Sequence, residues 1–158
     1  MPLYGSGPFN NTSGSGFYTV DQYKEILRYA QERHVEVIPE IDMPGHSTAA
    51  IKSIHAAGQQ NRRKRTNDVT YSVLDPDDRS DYTSGQNYKL NAMNPCVDST
   101  YDFVRKIMTS VKEIHKSIQP LSFFHFGGDE VAMGAWSKSK ACEELANKDP
   151  STFGYISI

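Results

Sequence analysis

Two short stretches of this 158-residue chain hold residue types that can move protons and grip polar ligands. One is Gly127-Gly128-Asp129-Glu130, and the other is Glu40-Ile41-Asp42-Met43-Pro44-Gly45-His46. Crowded carboxylates repel one another, so one member of such a pair can keep its proton near neutral pH and serve as a general acid. The glycines allow a sharp turn and leave room for a ligand close to the backbone. Neighbouring residues of an extended chain point to opposite sides, so Asp129 and Glu130 are expected to hold different jobs. Structural alternatives compete with each assignment. An Asp-Glu pair also suits a solvated helix N-terminus, where acids complement the dipole. On residue type alone His46 reads first as a core or capping histidine, and His125, beside three phenylalanines, as a packed one. Trp136 is either core or one aromatic wall of a ligand site, where its face could stack on a ring.

The elements around these stretches alternate. Thr19 with Gln22 forms a capping box, and Tyr23, Ile26, Leu27 and Ala30 follow as one apolar helical stripe ending near His34. β-Branched Val35, Val37 and Ile38, continued by Ile41, predict a strand that Pro44-Gly45 breaks. It places Glu40 and Asp42 at the strand's C-terminal end, where α/β folds bind ligands. A polar connection covers 43–98, with a short helix expected over Ser47–Ala57 and loop from Gln59 to Tyr88. The run Arg62-Arg63-Lys64-Arg65 reads as part of that solvated loop. Connections this long usually serve a site or lack order. A second helix is predicted from Ser99, with Asp102 completing its cap, and a second strand over Leu121–Phe126. A last helix is expected over Ser137–Asn147. This order fits βαβ units and a parallel sheet, but two strands cannot close one, so the chain reads as an incomplete α/β fold.

Composition narrows the class. The chain is 37% hydrophobic and 23% charged, with a net charge of −2. That suits a globular chain and gives no broad pull towards nucleic acid. No apolar run approaches the roughly 20 residues of a membrane span, and the N-terminus lacks signal-peptide character. The two cysteines, Cys96 and Cys142, form no metal motif and could pair or stay reduced. Overlapping sequons in Asn10-Asn11-Thr12-Ser13 hint at a secretory or lysosomal compartment.

The stretch His125-Phe126-Gly127-Gly128-Asp129-Glu130-Val131 resembles the signature of family 20 glycoside hydrolases, the β-N-acetylhexosaminidases and chitobiases. Glu36-Val37-Ile38-Pro39-Glu40-Ile41-Asp42-Met43-Pro44-Gly45-His46 resembles the preceding strand and loop of the same barrel. Gly5-Ser6-Gly7-Pro8, Gly16-Phe17-Tyr18 and Asp21 with Tyr23 are similar to the approach to that helix. The loop ending Leu90-Asn91-Ala92-Met93-Asn94-Pro95-Cys96 is closer to the chitobiase branch. The resemblance implies that residues 1–158 are a fragment of one catalytic (β/α)8 TIM barrel domain, about two to three βα units, with a loop insertion at about 58–98. It implies substrate-assisted, retaining hydrolysis of terminal N-acetylhexosamine, GlcNAc or GalNAc, an exception to the two-carboxylate scheme. Glu130 then matches the general acid/base and Asp129 the residue that holds the 2-acetamido group. His46 supports the acid/base residue, Asp42 belongs to the same strand-end motif, and Trp136 sits near the site. The implied partner is an oligosaccharide, with no nucleic acid, membrane span, metal or organic cofactor, and the implied location is extracellular or lysosomal. This fragment is expected to be inactive alone, because the arginine and aromatic walls of the sugar site lie on other strands. The competing expectation is a non-catalytic, hexosaminidase-like matrix or carbohydrate-binding protein.

Overall fold

The computed structural model describes residues 16–64 and 71–149. The sequons at 10–13, the opening motif at 5–8 and Arg65 lie outside the described residues. Four helices are described: α1 (Val20–Gln31), α2 (Thr48–Lys64), α3 (Asp98–His115) and α4 (Lys140–Lys148). The chain divides into two compact units, one of residues up to Glu40 with Ile107–His125, the other of Ile41–Lys106 with the residues from Phe126 onward.

In the first unit, α1 starts as its sequence dictates. The Thr19 hydroxyl accepts the Gln22 N–H at 3.2 Å and the Gln22 side chain accepts the Thr19 N–H at 2.9 Å. Leu27 and Ala30 of the apolar stripe are buried and Tyr23 is half-buried, but Ile26 is 37% exposed. The helix closes on His34, a left-handed residue at φ 55°, which lets the Val35 N–H return to the Ala30 carbonyl at 2.9 Å. The fully buried His115 ties α1 to the end of α3. Its Nδ1 lies 3.0 Å from the Gln119 carbonyl, which can only accept, so the proton sits on Nδ1. In the neutral ring Nε2 then accepts from the Tyr23 hydroxyl at 2.8 Å. Burial pushes the Tyr23 phenol above its ordinary value.

The two expected strands do not form a ladder. Val35–Ile41 and Leu121–Phe126 meet in a single parallel bridge, Glu40 with His125, where the His125 N–H donates to the Pro39 carbonyl at 3.0 Å. Pro39 has no N–H to extend the pairing. Earlier in the segment the Gln119 side chain takes the place of a strand, accepting from Val37 N–H at 2.7 Å and donating to the Val35 carbonyl at 2.7 Å. The parallel direction required of an α/β sheet is kept, while Val35, Ile38 and Phe123 are more than half exposed. His125 is therefore not the packed histidine its neighbours suggested. Its side chain is 60% exposed and its Nδ1 lies 3.3 Å from a Glu40 carboxylate oxygen.

The second unit has its core where α2 meets the connection. Ile51, Val73 and Met93 are buried together, with Ala50, Ile54, Leu74 and Phe103 packed against them. Helix α2 runs on to Lys64 instead of stopping at Ala57, so the described part of the basic run is helical. Positive charge at a helix C-terminus complements the dipole. At the start of α3 the expected cap is rearranged, with the Ser99 hydroxyl accepting from Ser72 N–H at 2.7 Å and Asp102 pairing with Arg105. The segment 71–97 has no helix or strand but is ordered by polar bonds around Asn94. The Asn94 amide donates to Ser139 Oγ at 2.9 Å, and that hydroxyl donates to Asp75 at 2.7 Å while capping α4 through Cys142 N–H. Burial alone would raise the Asp75 carboxyl. Hydrogen bonds from Ala141, Ser139, Asp77 and Lys140 outweigh it and hold the group below its ordinary value. Cys96 and Cys142 are joined in a disulfide across the same junction.

Candidate active site

The site lies within the second unit, where three non-adjacent segments converge. Asp42 and His46 come from the segment entering α2, Glu130 follows the Gly127-Gly128 turn, and Gln86 comes from the long connection. The entering segment is bracketed on both sides. Met43 N–H donates to the Phe126 carbonyl at 2.8 Å, while Met93 N–H donates to the Pro44 carbonyl and Ser47 N–H to the Asn91 carbonyl, both at 2.9 Å. The Met43–Pro44 peptide is cis.

Two glycines make the convergence possible. A Cβ on Gly45 would lie 2.7 Å from the Asp129 carbonyl oxygen, closer than real Cβ contacts, so only hydrogen lets the two segments meet. Gly127 is left-handed (φ 68°), and a Cβ there would run into Asp42 Oδ1. Asp42 in turn holds the turn, accepting the Gly128 N–H through Oδ1 at 2.8 Å.

The other oxygen of Asp42, Oδ2, lies 3.8 Å from His46 Nε2, which is also 3.5 Å from Glu130 Oε2. These separations are electrostatic contacts rather than short hydrogen bonds. The Gln86 amide makes the short one, donating to Glu130 Oε2 at 2.7 Å. Asp42 and His46 are 23% and 30% exposed at their side chains and Glu130 is 61% exposed, so an acid open to solvent is backed by partly sheltered partners. His46 (φ 49°) and Glu130 (φ 47°) both adopt left-handed backbone. Non-glycine residues seldom do so, and such conformations collect at functional sites.

Asp42, His46 and Glu130, the residues singled out in the sequence, are thus brought together. Asp129 and Glu130 sit in a turn, neither in extended chain nor at a helix N-terminus. The Asp129 side chain is bonded to none of the described residues. Trp136 lines a different feature, a cavity of about 90 Å³ that it shares with Asp75, Tyr82 and Asn94. Its indole N–H is buried there with no described partner. Gln86 was missed. One glutamine in a polar loop carries no periodicity or motif, and only the Gly85-Gln86-Asn87 turn signal marked its place. Among the described residues no cluster of three His, Cys, Asp or Glu could hold a metal ion.

A carboxyl faced by a histidine–aspartate pair and bonded by an amide, beside a second carboxylate with no described partner, is an arrangement able to transfer a proton. The description that matches is the catalytic domain of glycosyl hydrolase family 20, over residues 4–153. The chain belongs to that family. It is 43% identical over 150 residues to a beta-hexosaminidase of Vibrio vulnificus, covering 92% of this chain and 17% of that protein. It is 42% identical over 135 residues to the N,N'-diacetylchitobiase of Vibrio harveyi, covering 83% and 15%. In structure it resembles a GH20 exo-beta-N-acetylglucosaminidase from Vibrio harveyi crystallised with N-acetylglucosamine. The TM-score is 0.67 at 32% identity, covering 85% of this chain and 18% of that one. The chain spans less than a fifth of each of these relatives.

Proposed function

We propose that this chain supplies the proton-transfer part of a retaining β-N-acetylhexosaminidase that removes terminal non-reducing GlcNAc or GalNAc from oligosaccharides. The observation that carries the reading is the position of Glu130, its Oε2 held by Gln86 and faced by the His46–Asp42 pair. Glu130 donates its proton to the glycosidic oxygen as the bond to the anomeric carbon breaks. The carbonyl oxygen of the substrate's own acetamide closes on that carbon, giving an oxazolinium ion. Water then attacks, Glu130 takes its proton, and the acetamide reopens with configuration retained. Asp129 orients the acetamide through its N–H. His46 and Asp42 hold Glu130, while Trp136, which lines a separate cavity with Asp75, Tyr82 and Asn94, is given no part in the sugar site. The scheme draws on side chains and substrate alone.

The rest of the sugar site belongs to other strands of a (β/α)8 barrel, of which residues 1–158 form about two to three βα units with an insertion at about 58–98. The parallel Glu40–His125 bridge and the uncovered apolar residues beside it support that reading. The disulfide suits an oxidising, extracellular or lysosomal location.

The test uses the full-length protein and a series of aryl glycosides whose acetyl group carries none, one, two or three fluorines. Fluorine weakens the carbonyl oxygen as a nucleophile, so rates should fall stepwise along the series. Equal rates throughout would overturn substrate assistance.

A further inference from the structure

Gln86 belongs to neither sequence motif, yet it makes the shortest polar contact to Glu130. The turn that presents it is built for the purpose. Ser84, buried at 3% exposure, donates its N–H to the Tyr88 carbonyl at 2.9 Å and accepts the Tyr88 N–H on its hydroxyl at 3.2 Å. The Asn87 N–H returns to the Ser84 carbonyl at 2.8 Å, with Asn87 left-handed at φ 64°. Below the turn, the Tyr82 hydroxyl accepts from Ala92 N–H at 3.1 Å and Asn91 N–H at 3.3 Å. Gly85 lies against Glu130, since a Cβ there would stand 3.6 Å from Oε2. A residue carried on a cross-braced turn loses little entropy when it makes its bond, so the contact is preorganised.

We infer that Gln86 is a positioning residue for the acid/base carboxyl, fixing which Glu130 oxygen delivers the proton. The inference rests on Glu130 being the general acid. Oε2 already receives the Gln86 amide and faces His46, whereas no described residue bonds Oε1. A carboxyl proton avoids the oxygen that is already accepting a donor, so it resides on Oε1, open to a leaving-group oxygen. Gln86 is uncharged, so it orients the carboxyl without adding a second cation beside His46. Among the described residues, the charged or titratable groups around Glu130 are His46, Asp42 behind it, and Asp129 next in the chain.

The experiment compares Gln86→Leu and Gln86→Glu with the unaltered full-length protein on two β-N-acetylglucosaminides, chitobiose and a 2,4-dinitrophenyl glycoside. Chitobiose must have its leaving group protonated, and the dinitrophenyl glycoside need not. Loss of a hydrogen bond to an ionisable group predicts a roughly ten- to hundred-fold lower kcat on chitobiose for Gln86→Leu. KM should stay within about twofold and the dinitrophenyl rate within about threefold. In Gln86→Glu, which puts a second carboxylate against Glu130, the alkaline limb of the chitobiose pH–rate profile should move to higher pH. Equal losses on both substrates, or an unmoved pH profile with full chitobiose activity, would overturn the inference. Glu130→Gln separates the two levels. If it abolishes chitobiose cleavage while Gln86→Leu is fully active, only the inference about Gln86 fails. If Glu130→Gln is itself fully active, the acid/base assignment fails first.

Discussion

Glu130 is met by His46 and Gln86, with Asp42 behind His46, and three of these four residues were visible in the sequence. Asp42, His46 and Glu130 stood in compact motifs with glycines beside them, and in the fold they share one cluster. Gln86 was missed and His125 misread because the behaviour of both depends on where other segments lie. His125 looked packed by its phenylalanine neighbours, but it faces outward to Glu40. His46→Ala removes the only described imidazole facing Glu130 and should lower kcat roughly tenfold or more with KM little changed, read by steady-state kinetics of the full-length protein. Asp75→Asn should cost about 1 kcal/mol of stability at pH 7, since the carboxylate braces the cap of α4 from a half-buried, partly screened position. The folded-state value of Asp75 lies below its ordinary 3.8, so the unfolded chain binds the proton more readily. The stabilisation is complete above that ordinary value and drains away as pH falls through the folded-state value. Melts of the variant and the parent should therefore converge on acidification, and a gap that persists unchanged into strong acid would contradict this role.

At the scale of elements, helices were legible and strands were not. The Thr19–Gln22 box and the Leu27–Ala30 stripe specify α1 locally, through contacts a few residues apart. Strands need a partner, and the Val35–Ile41 pattern says nothing about Gln119 occupying the pairing groups or Pro39 withholding one. The length of α2 was also underestimated, because the basic residues that read as solvated loop suit the end of a helix. The turn geometry makes its own prediction. Gly45→Ala forces a Cβ to within 2.7 Å of the Asp129 carbonyl, and backbone cannot yield cheaply there. It should lower stability by about 1–3 kcal/mol and reduce activity more than the stability loss alone explains, because Glu130 is the next residue. Thermal unfolding and kcat measured on the same preparation check both parts.

For the molecule as a whole, family membership was readable from two motifs in order, and the match over residues 4–153 agrees. The pairing of the two cysteines was not readable, since the sequence left both redox states open. The disulfide closes a 46-residue separation between the long connection and α4. Closing a loop of that length restricts the unfolded chain by about 4 kcal/mol on the entropic account. Reduction, or Cys142→Ser, should therefore lower the free energy of unfolding by an amount of that order, read as a lower denaturant midpoint, and an unchanged midpoint would show that the disulfide contributes no stability. The same connection carries Gln86, so reduction should also slow chitobiose cleavage. No described helix is long and apolar enough to cross a membrane. Exposed Val35, Ile38 and Phe123 suit burial against the remaining strands of the proposed barrel. The acid role of Glu130 is decided by the initial rate of chitobiose hydrolysis by the full-length protein carrying Glu130→Gln. The expected result is a fall of roughly a hundredfold or more in kcat with substrate binding retained, and a variant that cleaves chitobiose at the parent rate would rule out Glu130 as the acid.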